Sequence, residues 1–173
     1  MVTSPPPTDA PTPPAEERRL ATLAEQREAI DALLALGTQR VLVFDRDLAD
    51  TGWDGAQRAE GVKAFLRRSR NAELRIIVHD TRFLAASCPR LLALLRVYGH
   101  AMAVWRTGAE ARAANDALLV VDARHALHRY HVDQPRATLL TSMPQAVRPL
   151  AERFEEIWAT GEPAIGGSTL GLG

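Results

Sequence analysis

Arg40-Val-Leu-Val-Phe-Asp-Arg-Asp-Leu48 and Leu74-Arg-Ile-Ile-Val-His-Asp80 are the two stretches that decide the fold. Each opens with a short, nearly continuous apolar run of the kind that forms a strand buried on both faces. Each closes abruptly on charged and imidazole side chains. Between them, Ala56 to Arg70 places Ala59, Val62, Phe65 and Leu66 at helical spacing. Upstream, Leu20, Leu23, Ile30, Leu33 and Leu34 recur in the same way, so the spacing predicts a helix from Glu16 that stops at Gly37. Downstream, Pro89 opens a third helix, Gly99 closes it, and Ala101 to Trp105 reads as a third strand. The order α-β-α-β-α-β with short links predicts parallel strands covered by helices.

After Trp105 the rhythm changes. Ala117 to Val121, Ala126 to Val132 and Ala137 to Leu140 are three short apolar segments separated by only a few residues. Such spacing suits antiparallel neighbours that extend the sheet. A last helix is expected from Ser142, with Ser142 and Gln145 as a capping box, a buried stripe of Val147, Leu150, Phe154, Ile157 and Trp158, and a bend at Pro149. Residues 1–15 are rich in proline and threonine and read as a disordered arm. The domain is expected over 16–160. Residues 161–173 hold five glycines and read as a loose tail, with Leu170 and Leu172 docked on the body. The fold class is thus α/β, a mixed and mostly parallel sheet with helices on both faces.

Composition narrows the functional classes. The chain has 173 residues, and its 21 basic and 21 acidic side chains cancel. That balance argues against a strongly basic nucleic-acid binder and a polybasic membrane arm, so nucleic acid is not the expected partner. No apolar run approaches about 18 residues, and no membrane span is expected. Cys88 is the single cysteine, which excludes an intramolecular disulfide and a cysteine-based zinc cluster. With no apolar leader visible, the expected compartment is the cytoplasm.

The segments Val41-Leu-Val-Phe-Asp-Arg-Asp-Leu48, Leu74 to Asp80, Arg90-Leu-Leu-Ala-Leu94 and Phe154-Glu-Glu-Ile-Trp158, in this order and spacing, resemble an uncharacterised family of bacterial phospholipase D-like domains. Relatives occur alone or behind an N-acetyltransferase domain. The resemblance implies one phospholipase D-like repeat, which pairs with a second copy, so a homodimer or a protein partner is expected. Active members carry His-x-Lys-x4-Asp followed by Gly-Ser. An imidazole attacks phosphorus and the lysine offsets the phosphate charge. Laid on the strand that ends at Asp122, the motif puts Asn115 at the histidine and Ala117 at the lysine, and Arg129-Tyr130 stands where Gly-Ser would follow. A carboxamide is no nucleophile at phosphorus, and alanine carries no charge. The only lysine, Lys63, has no histidine two residues before it. The resemblance therefore implies the fold, while the sequence withholds the reaction. No catalytic residue, metal or cofactor is assigned.

Candidate binding residues lie at the strand ends. Ligands of open α/β sheets bind at the carboxyl ends of the strands. Asp45, Arg46 and Asp47 end one strand, and His79 and Asp80 end the next. If these strands are parallel neighbours, the residues share one rim. Asp45 and Asp47 also resemble the first motif of haloacid dehalogenase-like phosphatases, which act with magnesium, although no matching lysine or acidic pair follows. A phosphatase or phosphodiesterase using Asp45, Asp47, His79 and Asp80 is one alternative, and a nucleic-acid module using scattered arginines is another. Loop-capping carboxylates are the plainer reading. Asn115, Asp122, Arg129 and His131 complete the candidate set. His125, His128 and His131 fall at strand spacing, so His128 faces away from the other two. Asp133 is within reach of His131 in sequence. Cys88, before Pro89, is read as structural.

Overall fold

The computed structural model describes residues 11–165. Eight strands form one sheet: β1 (Glu16–Leu20), β2 (Arg40–Asp45), β3 (Glu73–Val78), β4 (Met102–Arg106), β5 (Ala117–Val121), β6 (His125–Arg129), β7 (Ala137–Thr141) and β8 (Glu162–Ile165). Their order across the sheet is β1-β7-β6-β5-β2-β3-β4-β8. Five helices flank it: α1 (Leu23–Leu36), α2 (Ala56–Arg68), α3 (Arg82–Ser87), α4 (Pro89–Val97) and α5 (Pro144–Ala159).

The mixed α/β sheet stands as expected, but parallel pairing is confined to β2–β3 and β3–β4. The other five pairings are antiparallel. "Mostly parallel" therefore describes only the segment built from helical crossovers. Both edges are added by short strands from the two ends of the described chain.

Strand alternation splits the apolar side chains between two cores. Val41 and Val43 of β2 point to the layer that contains Ile30 and Leu33 of α1, Val62 and Phe65 of α2, and Leu91 and Leu95 of α4. Leu42 and Phe44 point to the other layer, where Val147, Phe154 and Ile157 of α5 close over them. Trp105 and Trp158 stack with ring centroids 4.1 Å apart, and the Arg75 guanidinium lies over Trp158. β2 and β3 are apolar at consecutive positions because both of their faces are covered.

Three local expectations fail, and one short helix carries no spacing signal. Glu16 to Leu20 is a strand and not the start of a helix. Only Leu20 is buried there, so its four charged neighbours stay in water while the backbone pairs with β7. Charged side chains on an edge strand also discourage further pairing. The helix starts after Thr22, whose Oγ1 accepts the Glu25 N–H, and Glu25 Oε1 accepts the Thr22 hydroxyl and the Ala21 N–H. That reciprocal cap lies in Thr22-x-x-Glu25, where the apolar spacing concealed it.

The expected box at Ser142 is absent, because Met143 precedes α5 and makes no side-chain cap. Ser142 adopts φ 51°, donates its N–H to His125 Nδ1 and donates its hydroxyl to the Pro13 carbonyl. The helix α3 before Pro89 was not anticipated, being a single short stretch with only Leu84 buried. The glycine-rich stretch begins with β8, which pairs with β4 and belongs to the sheet. Leu170, Leu172 and residues 1–10 lie outside the described residues.

Candidate functional site

The carboxyl ends of β2, β3 and β4 share one end of the sheet with the start of β5 and the end of β6. This brings Asp45, Arg46, Asp47, His79, Asp80, Asn115, Arg129 and His131 to the same rim. Asp122 stands apart. It follows β5 at the opposite end, about 20 Å from Asn115 at strand rise.

Along the rim, most of the expected residues are committed to the fold. Asp45 is 7% exposed, and its Oδ1 accepts the Arg46 N–H. Burial pushes its carboxyl up to about 6, with Asp47 and Asp50 adding to the rise and the Arg46 N–H and Arg129 opposing it. It lines a small cavity of about 30 Å³ with Gln26, Thr51, Ala117 and Arg129. That is room for about two waters. Arg46 pairs with Asp133 at 2.9 Å and lies near Asp47 and Asp50. Asp47 accepts the Ala49 N–H and shapes its own loop.

His79 is held at both nitrogens, with Nδ1 2.6 Å from Thr107 Oγ1 and Nε2 2.7 Å from the Ala114 carbonyl. A carbonyl only accepts, so Nε2 donates to Ala114, while the Thr107 hydroxyl can either donate to or accept from Nδ1. Asp80 faces outward onto Arg82, whose guanidinium and backbone N–H hold its carboxyl down at about 2. Among the described residues, no group of three or more His, Cys, Asp or Glu side chains is arranged to hold a metal ion.

The transferred motif is dismantled piece by piece. The Asn115 carbonyl accepts the Val132 N–H and fastens the strand to the following loop. Ala117 lies opposite Arg129 in cross-strand register. Arg129 is 5% exposed and donates to the Gln134 and Val132 carbonyls and to Asp50 Oδ2. Its charge is spent on the 131–135 loop and one carboxylate. Asp122 accepts the backbone N–H groups of Thr38, Gln39 and Arg40 and the Thr38 hydroxyl. Burial would raise its pKa, but these donors hold it below the usual carboxylate range.

The histidines alternate as strand geometry requires. His125 is buried with Nδ1 accepting from Ser142, and burial lowers its pKa. His131 Nδ1 accepts the Asp133 N–H. His128 faces the α5 layer and meets Asp116 Oδ2 at 3.0 Å. Arg153 of α5 grips the same carboxylate with Nε and an Nη at 3.0 and 2.6 Å. Burial opposes that charge, but the hydrogen bonds from His128 and Arg153 and the Arg153 guanidinium hold Asp116 well below its ordinary range. This Asp116–His128–Arg153 cluster was missed in sequence. The only signal was the alternation that set His128 apart. Burial raises the Cys88 thiol to about 11, which fits a structural role.

By its sheet order and strand-end rim, this is an α/β domain similar in fold to phospholipase D-family proteins. NucT from Helicobacter pylori matches over 87% of this chain and 100% of its own, at 12% identity and TM-score 0.55. Nuc from Salmonella typhimurium, a phospholipase D family member, matches over 86% and 99%, at 10% identity and TM-score 0.55. TrmBL2, an archaeal chromatin protein, matches over 86% of this chain at 13% identity and TM-score 0.63, and the chain spans about half (55%) of it. No curated protein matches. The chain belongs to the family described as a domain of unknown function, DUF7931, whose model matches residues 22–166.

Proposed function

We propose that this protein is a non-catalytic phospholipase D-like module that binds a ligand or assembles with a partner in the cytoplasm. One observation carries the reading: the strand that resembles the motif-bearing one presents Asn115 and Ala117, so nucleophile and cation are both missing. The nearby groups do not substitute for them. His79 has both nitrogens engaged, and Arg129 is buried among loop carbonyls. The strand-end carboxylates turn to different partners, which weakens the metal-phosphatase alternative. The likeness to a chromatin protein whose description includes DNA binding supports binding over turnover. No described helix is long and apolar enough to cross a membrane.

The test is turnover. Purified protein is incubated with single- and double-stranded DNA, phosphatidylcholine vesicles and bis-p-nitrophenyl phosphate, with and without magnesium. Rates equal to buffer are expected. Hydrolysis that disappears in Asp45→Asn would overturn this reading in favour of the strand-end alternative. The pairing implied by the resemblance is read by sedimentation velocity: a species of twice 18.9 kDa supports a homodimer. A monomer at every concentration leaves only a different partner.

A further inference from the structure

Tyr130 is 57% exposed, a large aromatic side chain left open on a sheet whose other apolar faces are covered. It immediately follows β6, on the α5 side. The ring is nonetheless held in place. Its hydroxyl is hydrogen-bonded to Thr138 Oγ1, and it meets the His128 ring in a T-shaped pair with centroids 4.9 Å apart and planes at 68°. His128 is in turn fixed by Asp116, which Arg153 clamps from α5. An exposed aromatic with an ordered orientation loses little conformational entropy on stacking.

The ring lines a groove of about 540 Å³ at the paired edge of β1 and the start of β7, a volume in the range of small-molecule sites. Arg19 and Arg136 line the same groove, and both are exposed. Neither forms a salt bridge among the described residues. One carboxylate, Glu17, also lines it, so two cations face one acid. The balanced charge of the whole chain hides this local excess. Free guanidinium groups take phosphate through paired N–H donors, and a fixed phenol ring offers a stacking face to a base.

We infer that this groove binds a nucleotide, with the base stacked on Tyr130 and the phosphate held by Arg19 and Arg136. The inference rests on the reading of the protein as a binding module and names the class of its ligand. A free nucleotide and a nucleotide within a single strand share this chemistry.

The experiment titrates the full chain by calorimetry with inorganic phosphate, with AMP, and with a six-nucleotide deoxyadenylate strand. AMP, the strand or both are expected to bind at least about tenfold more tightly than phosphate, since stacking on one aromatic is worth that much. Equal binding of AMP points to a free nucleotide, and binding of the strand alone points to single-stranded nucleic acid. Tyr130→Ala is expected to weaken binding about tenfold, and Tyr130→Phe much less. Arg19→Ala with Arg136→Ala is expected to weaken binding and to flatten its salt dependence. Unchanged circular dichroism confirms that the variants fold, and Arg136→Glu is the second variant should Tyr130→Ala not fold.

Binding of phosphate as tight as AMP, full affinity in folded Tyr130→Ala or in Arg136→Glu, or no binding by either nucleotide probe would overturn the inference. The recovered strand is run on a gel after titration. A cleaved strand sinks the non-catalytic reading and leaves the groove standing, whereas an intact strand with neither the strand nor AMP bound sinks the groove alone.

Discussion

Asp45 shows how a single residue in this fold can trade stability for polarity. Its carboxyl is buried at the end of β2 and titrates near 6, above the value of about 3.8 for a free side chain. The folded state therefore binds this proton more tightly than the unfolded chain does. The cost of ionising it is absent below about pH 4, grows as pH rises, and is complete above about pH 6. Asp45→Asn keeps an oxygen for the Arg46 N–H and removes the charge. We expect it to raise stability at pH 7 by roughly 1–3 kcal/mol, the scale of a shift of about two units. It should also flatten the pH dependence between 4 and 6, read by urea unfolding across that range. A variant less stable at pH 7 would show that Asp45 is stabilised by a partner not seen at the rim. At the same scale, Asn115 and Ala117 were legible as residue types that differ from the imidazole and ammonium the resemblance implies, because residue type is read directly from the chain. That His79 is tied to Thr107 and Ala114 was not legible, since its partners are 28 and 35 residues away.

Among the elements, β8 is the one most at odds with its sequence. Gly161 precedes it, Pro163 lies within it, and three of its four residues are exposed. It is held because β4 has a free edge and because Gly108 and Gly161 let the backbones meet. A Cβ at Gly161 would lie 2.7 Å from Ile77 Cδ1 and 2.9 Å from the Arg106 carbonyl, and one at Gly108 would overlap the Thr160 carbonyl oxygen. Gly161→Ala is expected to destabilise by about 1–3 kcal/mol, the usual scale of overpacking. Amide hydrogen exchange should quicken at Val104 and Arg106 while β2 and β3 stay protected. Uniform exchange across the sheet would mean that β8 is no local unit. β1 makes the complementary point. Helical spacing of leucines predicted a helix there, but Leu20 serves the sheet and only Leu23 onward serves α1. Spacing alone does not say to which element an apolar residue belongs.

In the whole molecule, the parallel segment β2–β3–β4 meets the antiparallel segment β5–β6–β7–β1 along a single join, β2 against β5. Asp122 bolts that join at one end. Its own N–H donates to the Arg40 carbonyl, and its carboxylate collects three backbone N–H groups from the α1–β2 turn. It does so from φ 53°, a conformation that Asp tolerates better than most residues. Asp122→Ala would strand those donors, and a loss of about 2–4 kcal/mol is expected from the hydrogen bonds to a charged acceptor. Because the folded pKa is depressed, this contribution is present above about pH 4 and lost as pH falls further. The difference in Tm between wild type and variant should therefore shrink in acid. A constant difference would assign the loss to the turn conformation and not to the charge.

By itself the sequence determined the buried strands, the helices with long apolar stripes, the change from crossovers to hairpins, and the absence of an imidazole and an ammonium where the resemblance calls for them. These properties are local, arising from period, residue type and nearest-neighbour spacing. Tertiary structure decided which charged groups are spent and which remain free. It placed Asp122 at the far end from Asn115, buried Arg129 among carbonyls, and left Tyr130, Arg19 and Arg136 around one groove. That outcome was beyond reading from the chain because the energy of a charge depends on partners that only strand register and sheet order bring within a few ångströms.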